Sequence, residues 1–158
     1  MRQIPNNMIA KDALKVWRLV NLIQILFFWA IGVGYLWLTL RFSLPLWISI
    51  TFFFILILTS ILSVVIMPKL KWKRWRYDVF AEEIDLMYGV FIQKRTLIPM
   101  VRVQHVDTKQ GPLLRKYNLA TVTISTAATV HEIPALLLTE ADQLRDHISQ
   151  LARVSDDE

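Results

Sequence analysis

Cysteine is absent from these 158 residues. That excludes a disulfide framework, a thiolate metal site and a cysteine nucleophile. Glycine is scarce, at four residues, and no G-x-G-x-x-G, P-loop or G-x-S-x-G pattern occurs. The three histidines, His105, His131 and His147, show neither HExxH nor any other short metal-ligand spacing. No metal, cofactor or catalytic residue is therefore expected, and the chain reads as not an enzyme. Charge is missing entirely from two long stretches, 19–40 and 44–67.

What is present is apolar: 54% of the residues are hydrophobic, too many for an ordinary soluble domain of this size. Residues 19–40, at 1.5 Å per residue, reach about 33 Å, enough to cross a hydrocarbon core of about 30 Å. The uncharged run 44–67 is longer still. Only Arg41, Phe42 and Ser43 separate the two, which predicts an antiparallel transmembrane hairpin. Pro45 fits the first turn of the second helix, and Pro68 is expected to end it. Trp17, Trp37, Trp47, Trp72 and Trp75 stand where an aromatic belt would. Asn21 and Gln24 are expected to be solvated at the interface or to bond across to the second helix. Ala30/Gly34 and Thr59/Ser63 have the small-xxx-small spacing that allows close helix packing, in a hairpin seam or against a partner. No Asp, Glu, Lys, Arg or His lies inside either span, so a proton relay or ion pathway lacks its usual parts.

The formal charge of +5 is unevenly placed. Arg2, Lys11, Lys15 and Arg18 precede the spans, and Lys69, Lys71, Lys73, Arg74 and Arg76 follow them. Residues 77–158 hold eight Lys/Arg against twelve Asp/Glu, so the folded part is acidic and no nucleic-acid partner is expected. The positive-inside rule puts both tails of this multi-pass plasma-membrane protein in the cytoplasm. The block 68–76, with Trp72 and Trp75 among its cations, is a topology signal. The same residues are candidate contacts to anionic inner-leaflet headgroups.

After the spans the pattern changes to short alternating runs: 75–80, 83–89, 90–98, 101–106, 120–126 and 129–133. These predict antiparallel strands. Gly111-Pro112 marks a loop, and Asn118 suits a left-handed turn. Thr139 with Asp142 has capping-box spacing, and Ala141, Leu144, Ile148 and Leu151 form one helical stripe. Glu82, Glu83 and Asp85 read as an exposed acidic turn. His105 reads as a structural histidine on an apolar strand face. Arg102, with Gln104 on its face, is expected to pair with an acid of its own domain, a phosphate or acidic peptide being the alternative. Lys94, Arg95, Arg115 and Lys116 read as turn cations.

The runs "IPMVRVQHV", "QGPLLRKYNLATVTISTA" and "IPALLLTEADQLRDHI" resemble the bacterial pleckstrin-homology-like (PH-like) domain of YdbS-type membrane proteins. The motif comprises Ile98, Pro99, Arg102, Gln104, Val106, Gly111, Pro112, Leu113, Arg115, Leu119 and Ala120. Asn118 departs from the usual glycine, but both accept a left-handed backbone. The resemblance implies a membrane-anchored α+β chain: a transmembrane hairpin, then a strongly bent antiparallel sheet or barrel of about seven strands with a C-terminal helix. It also implies a companion, a larger membrane protein with several copies of the domain, and brings no catalytic activity. The expected organisation is a cytoplasmic tail 1–18, the hairpin 19–67, a basic linker 68–76, the PH-like domain 77–154 and an acidic tail 155–158. The expected function is a non-catalytic subunit of a membrane complex, with that larger paralogue or a second copy as partner. The alternative is a lipid- or envelope-stress-sensing component involved in antimicrobial peptide resistance.

Overall fold

The computed structural model describes residues 3–156. The chain divides into two compact units, one of Trp17–Lys69 and the other formed by the chain before and after it.

The first unit is helical. Helix α1 covers Ala13–Phe42, and α2 (Leu46–Ile61) continues through a π-helical segment, Leu62–Ile66, into α3 (Met67–Arg74). By length and composition, Ala13–Phe42 and Leu46–Arg74 can both cross a membrane. Ser43, at φ 52°, makes the reversal, and Pro45 sits at the N-cap of α2. The expected stop at Pro68 is not observed. A proline inside an α-helix removes an N–H and clashes with the preceding turn. Here the preceding turn is π, whose N–H groups reach back five residues. Met67 N–H accordingly bonds Leu62 O. The next N–H in that ladder would belong to residue 68 and would reach Ser63 O. Pro68 has none, and Asn21 Nδ2 donates to Ser63 O instead, at 2.6 Å.

The rest of the seam differs from the expected small-residue pairs. Gly34 faces open space, while a Cβ on Gly32 would stand 2.9 Å from the Phe52 ring. Thr39 and Ser49 share a buried hydrogen bond of 3.1 Å, and Trp29 Nε1 donates to Ser60 Oγ at 3.4 Å. Each bond gives a polar group of one helix a partner on the other.

The second unit is a two-sheet domain. Its first strand, β1 (Asn7–Met8), comes from before the spans and pairs antiparallel with β2 (Arg76–Val79). Strands β3 (Glu83–Tyr88) and β4 (Lys94–Pro99) complete a sheet ordered β1-β2-β3-β4. A 3-10 turn, Met100–Arg102, leads to β5 (Val103–Lys109). Helix α4 (Pro112–Lys116) follows, then β6 (Leu119–Thr126) and β7 (Val130–Leu137), giving a second sheet β5-β6-β7. Helix α5 (Leu138–Asp156) packs on β5, β6, β7 and the 3-10 turn.

The expected bent sheet or barrel is thus two separate antiparallel sheets that do not close. The cause is local: Pro99 (φ −61°) and the 3-10 turn interrupt what the sequence suggested was a strand from 101 onward. The run 90–98 is likewise shorter as a strand, because residues 89–93 form a turn. The core holds Ile84, Leu86, Ile98 and Met100 together with Leu119, Val122, Ile124, Ile133, Leu136 and Ile148.

Two expected boundaries also move. Residues before the spans are part of the domain: Ile9, Ala13 and Val16 are buried, and Ala10 N–H bonds Ala135 O. Asp78 holds the same segment, accepting from Asn6 N–H at 3.0 Å and Asn7 Nδ2 at 2.8 Å. At the other end α5 runs through Asp156, and positions 157–158 of the expected acidic tail lie outside the described residues. The capping box at Thr139 is absent, since β7 passes directly into α5 and Thr139 is already helical. Leu138 N–H is satisfied by Asn118 O instead.

Candidate functional site

The residues singled out from the sequence fall into three places. The first is the block after the spans. Lys69, Lys71, Lys73 and Arg74 lie on α3, Lys69, Lys73 and Arg74 with exposed side chains and Lys71 lining a pocket with Trp75 and Tyr88. The tryptophans between them are engaged by the domain. Trp72 Nε1 donates to Ile9 O at 3.0 Å, holding the segment before the spans. Trp75 is buried and stacks on Tyr88, with ring centroids 5.6 Å apart. Arg76 opens β2, between Met8 and Met87. The cations therefore present an exposed positive face, and the two indoles are structural rather than part of the expected aromatic belt. Trp37 and Trp47 are exposed on the spans, as a belt requires.

The second place is a corner around α4. Gly111 is its N-cap, Pro112 its first residue, and Leu113 and Arg115 follow. The corner closes on β6: Asn118 adopts φ 53°, Gln110 Nε2 donates to Leu119 O at 2.9 Å, and Leu119 and Ala120 are fully buried. Asparagine suits position 118, because its short polar side chain tolerates a left-handed backbone better than most residues do. These motif residues build the fold. Arg115 and Lys116 point outward from it.

The third place is an open groove of about 520 Å³ lined by Thr96–Pro99, Val101, Arg102, Gln104, Thr126–Thr129 and His131. It brings together the motif residues Ile98, Pro99, Arg102 and Gln104. Between Val103 and His105 the register of β5 shifts, so Gln104 and His105 are both exposed while Val103 is buried. The expected alternation fails there, and His105 is not on an apolar face. It contacts Asp107, with Nε2 3.0 Å from Oδ1. Arg102 makes no ion pair with any described residue, against the expectation of a partner within the domain. The far wall is the β6–β7 turn, where Thr126 Oγ1 donates to Thr129 O at 2.8 Å. His131 Nε2 and Thr129 Oγ1 share a hydrogen bond of 2.8 Å. Burial lowers the pKa of His131, with the Lys94 charge adding to the effect, which favours the neutral imidazole. The groove thus offers one guanidinium, one amide, hydroxyls and exposed Leu97 and Val101. Those groups suit recognition of a peptide-like surface.

The expected acidic turn is not one site. Asp85 is buried on β3 and accepts from Arg95 Nε at 3.0 and 3.1 Å. Arg95 is therefore a structural partner rather than an outward cation, and its Nη2 also donates to Gln3 O at 2.8 Å. Among the described residues no group of three or more His, Asp or Glu is placed to hold a metal ion.

Comparison with known proteins bears directly on this arrangement. A family model described as "Bacterial PH domain" matches residues 19–152. The "UPF0699 transmembrane protein YdbS" of Bacillus subtilis (strain 168) is 54% identical over 158 residues, covering 100% of this chain and 99% of that protein. The "UPF0699 transmembrane protein YdbT" of the same organism is 26% identical over 83 residues, 50% of this chain but 17% of that protein. No solved structure matches. With its two candidate spans and two-sheet domain matched over nearly the full length, this chain belongs to the bacterial PH domain family as a YdbS-like transmembrane protein.

Proposed function

We propose that the chain is a non-catalytic subunit of a membrane complex. In this reading the hairpin anchors the domain at the cytoplasmic face, and the groove along Ile98–Gln104 receives a segment of a larger membrane protein. The observation that carries the reading is the convergence of Ile98, Pro99, Arg102 and Gln104 on one open groove, with Arg102 unpaired within the described domain. A relative with the same kind of segment exists as a small part of a much longer chain, 17% of its length, which supplies the class of partner. The Lys/Arg bias on both sides of the spans supports a cytoplasmic location for both ends. A PH-type fold does not by itself bring lipid binding or an activity, so the site carries the argument.

The test is purification of the tagged full chain from native membranes in mild detergent, with mass spectrometry of what accompanies it. The reading expects a stoichiometric larger membrane protein with PH-type domains. Recovery of the chain alone, at native expression level, sinks it.

A second reading rests on the exposed cations Lys69, Lys73 and Arg74: the domain senses anionic lipid at the headgroup layer. In that case neutralising these residues, with topology unchanged, reduces association of the domain with anionic vesicles. Unchanged association removes the physical basis of this second reading.

A further inference from the structure

The most exposed large apolar side chains among the described residues are not in the spans. Phe91 is 83% exposed and Ile92 85%, while no large apolar residue of the two span helices exceeds 68%. Both lie in the turn 89–93 between β3 and β4. The turn is built to one shape. Gly89 has φ +116°, and a Cβ there would stand 2.0 Å from Ile92 O, so only glycine lets the chain close this way. Two adjacent large apolar side chains, each more than four-fifths exposed, thus form the apex of a rigid turn.

Connectivity indicates what this apex meets. The chain enters the sheet from α3 at Arg76, which pairs with Met87, and β3 ends one residue later at Tyr88, opposite Lys94. The turn therefore leaves the sheet at the end where the chain arrives from the second span. Trp75, the single residue between α3 and β2, stacks on Tyr88 and fixes the root of the turn beside that entry point. Helix α3 can carry Trp75 no more than about 12 Å past Met67. The turn itself extends two to three residues beyond Tyr88, about 7–10 Å. The polar interfacial layer on each side of a bilayer is about 5–8 Å deep. Lys94, exposed at the root, places a cation beside the apolar apex, the combination that interfacial insertion uses.

We propose that the β3–β4 turn is a membrane contact separate from the spans: Phe91 and Ile92 enter the lipid interface, with Lys94 against headgroup phosphates. The contact gives the chain a second attachment point on the bilayer. It does not depend on the groove or its partner.

The natural absence of cysteine allows a direct test on the full chain. Single variants F91C, I92C and E82C are labelled with one small environment-sensitive fluorophore. They are reconstituted into phosphatidylcholine vesicles containing a lipid spin-labelled near the headgroup. Glu82 is in the β2–β3 turn, at the opposite end of the same strands, and controls for the dye's own affinity for lipid. The proposal expects lipid quenching at 91 and 92 several-fold stronger than at 82, with no other protein present. Equal quenching at all three sites overturns it. Quenching at the level of position 82, together with dye burial only after a larger PH-domain membrane protein is co-reconstituted, also overturns it and assigns the turn to a protein contact.

Discussion

The residues that carry the family resemblance divide into two regions with opposite fates. Around α4, Gly111, Pro112, Leu119 and Ala120 are consumed by the fold, through a cap, a first-turn proline and two fully buried side chains. Along Pro99–Gln104 the side chains of Pro99, Arg102 and Gln104 face open space. The same split recurs elsewhere. Trp72 and Trp75 are engaged internally while their neighbours Lys69, Lys73 and Arg74 are exposed. Asn21 is bonded within the hairpin while Gln24 is exposed. A motif read from sequence thus mixes residues that hold the shape with residues the shape presents, and only the second group can recognise a partner.

Substitutions widen or close that gap. The largest effect is expected in the corner: Leu119→Ala empties a fully buried site and costs about 2–5 kcal/mol in thermal or denaturant unfolding of the full chain in detergent. A loss below about 1 kcal/mol would mean the corner collapses freely and is not the structural half. Asn21→Leu comes next. It leaves Ser63 O without its donor beside Pro68, and should destabilise the hairpin by about 1–2 kcal/mol. Wild-type stability would show that the π segment satisfies Ser63 O by itself.

A pH measurement extends the comparison to sheet packing. Burial, aided by Glu140 and Asp78, pushes Tyr77 up to about 12 from 10.0. Its folded pKa exceeds its unfolded one, so the contribution is complete below pH 10 and is lost as pH rises towards about 12. Domain stability should fall across that window, and Tyr77→Phe should flatten the fall. An unchanged slope would place Tyr77 among the presented residues. The smallest stability change belongs to Arg102→Ala and Gln104→Ala, within about 0.5 kcal/mol, because neither side chain is buried.

Much of the architecture was legible in the sequence. The hairpin, the strand-rich domain and the stripe of Ala141 and Ile148 on the last helix appear where charge and periodicity put them. The resemblance to YdbS-type proteins was correct. What could not be read is long-range. A two-residue strand at Asn7–Met8 has no period, and its pairing with β2 bridges the entire hairpin. The rule that proline ends a helix assumes an α ladder, and the π segment before Pro68 changes the ladder. The Asp85–Arg95 pair is diagonal across β3 and β4, since Asp85 faces Leu97, two residues along, so it emerges only once the register is known. Likewise the register shift between Val103 and His105 leaves Gln104 and His105 both exposed, and alternation alone hid the groove.

The claim at the centre is that the groove, and not the fold alone, is what the domain uses. The direct measurement pairs stability with partner recovery for the double variant Arg102→Ala/Gln104→Ala, expressed at native level and purified in mild detergent. The account predicts wild-type unfolding and loss of the co-purifying larger membrane protein. Full recovery of that partner, with the same unchanged stability, would contradict it and move the docking surface away from the groove.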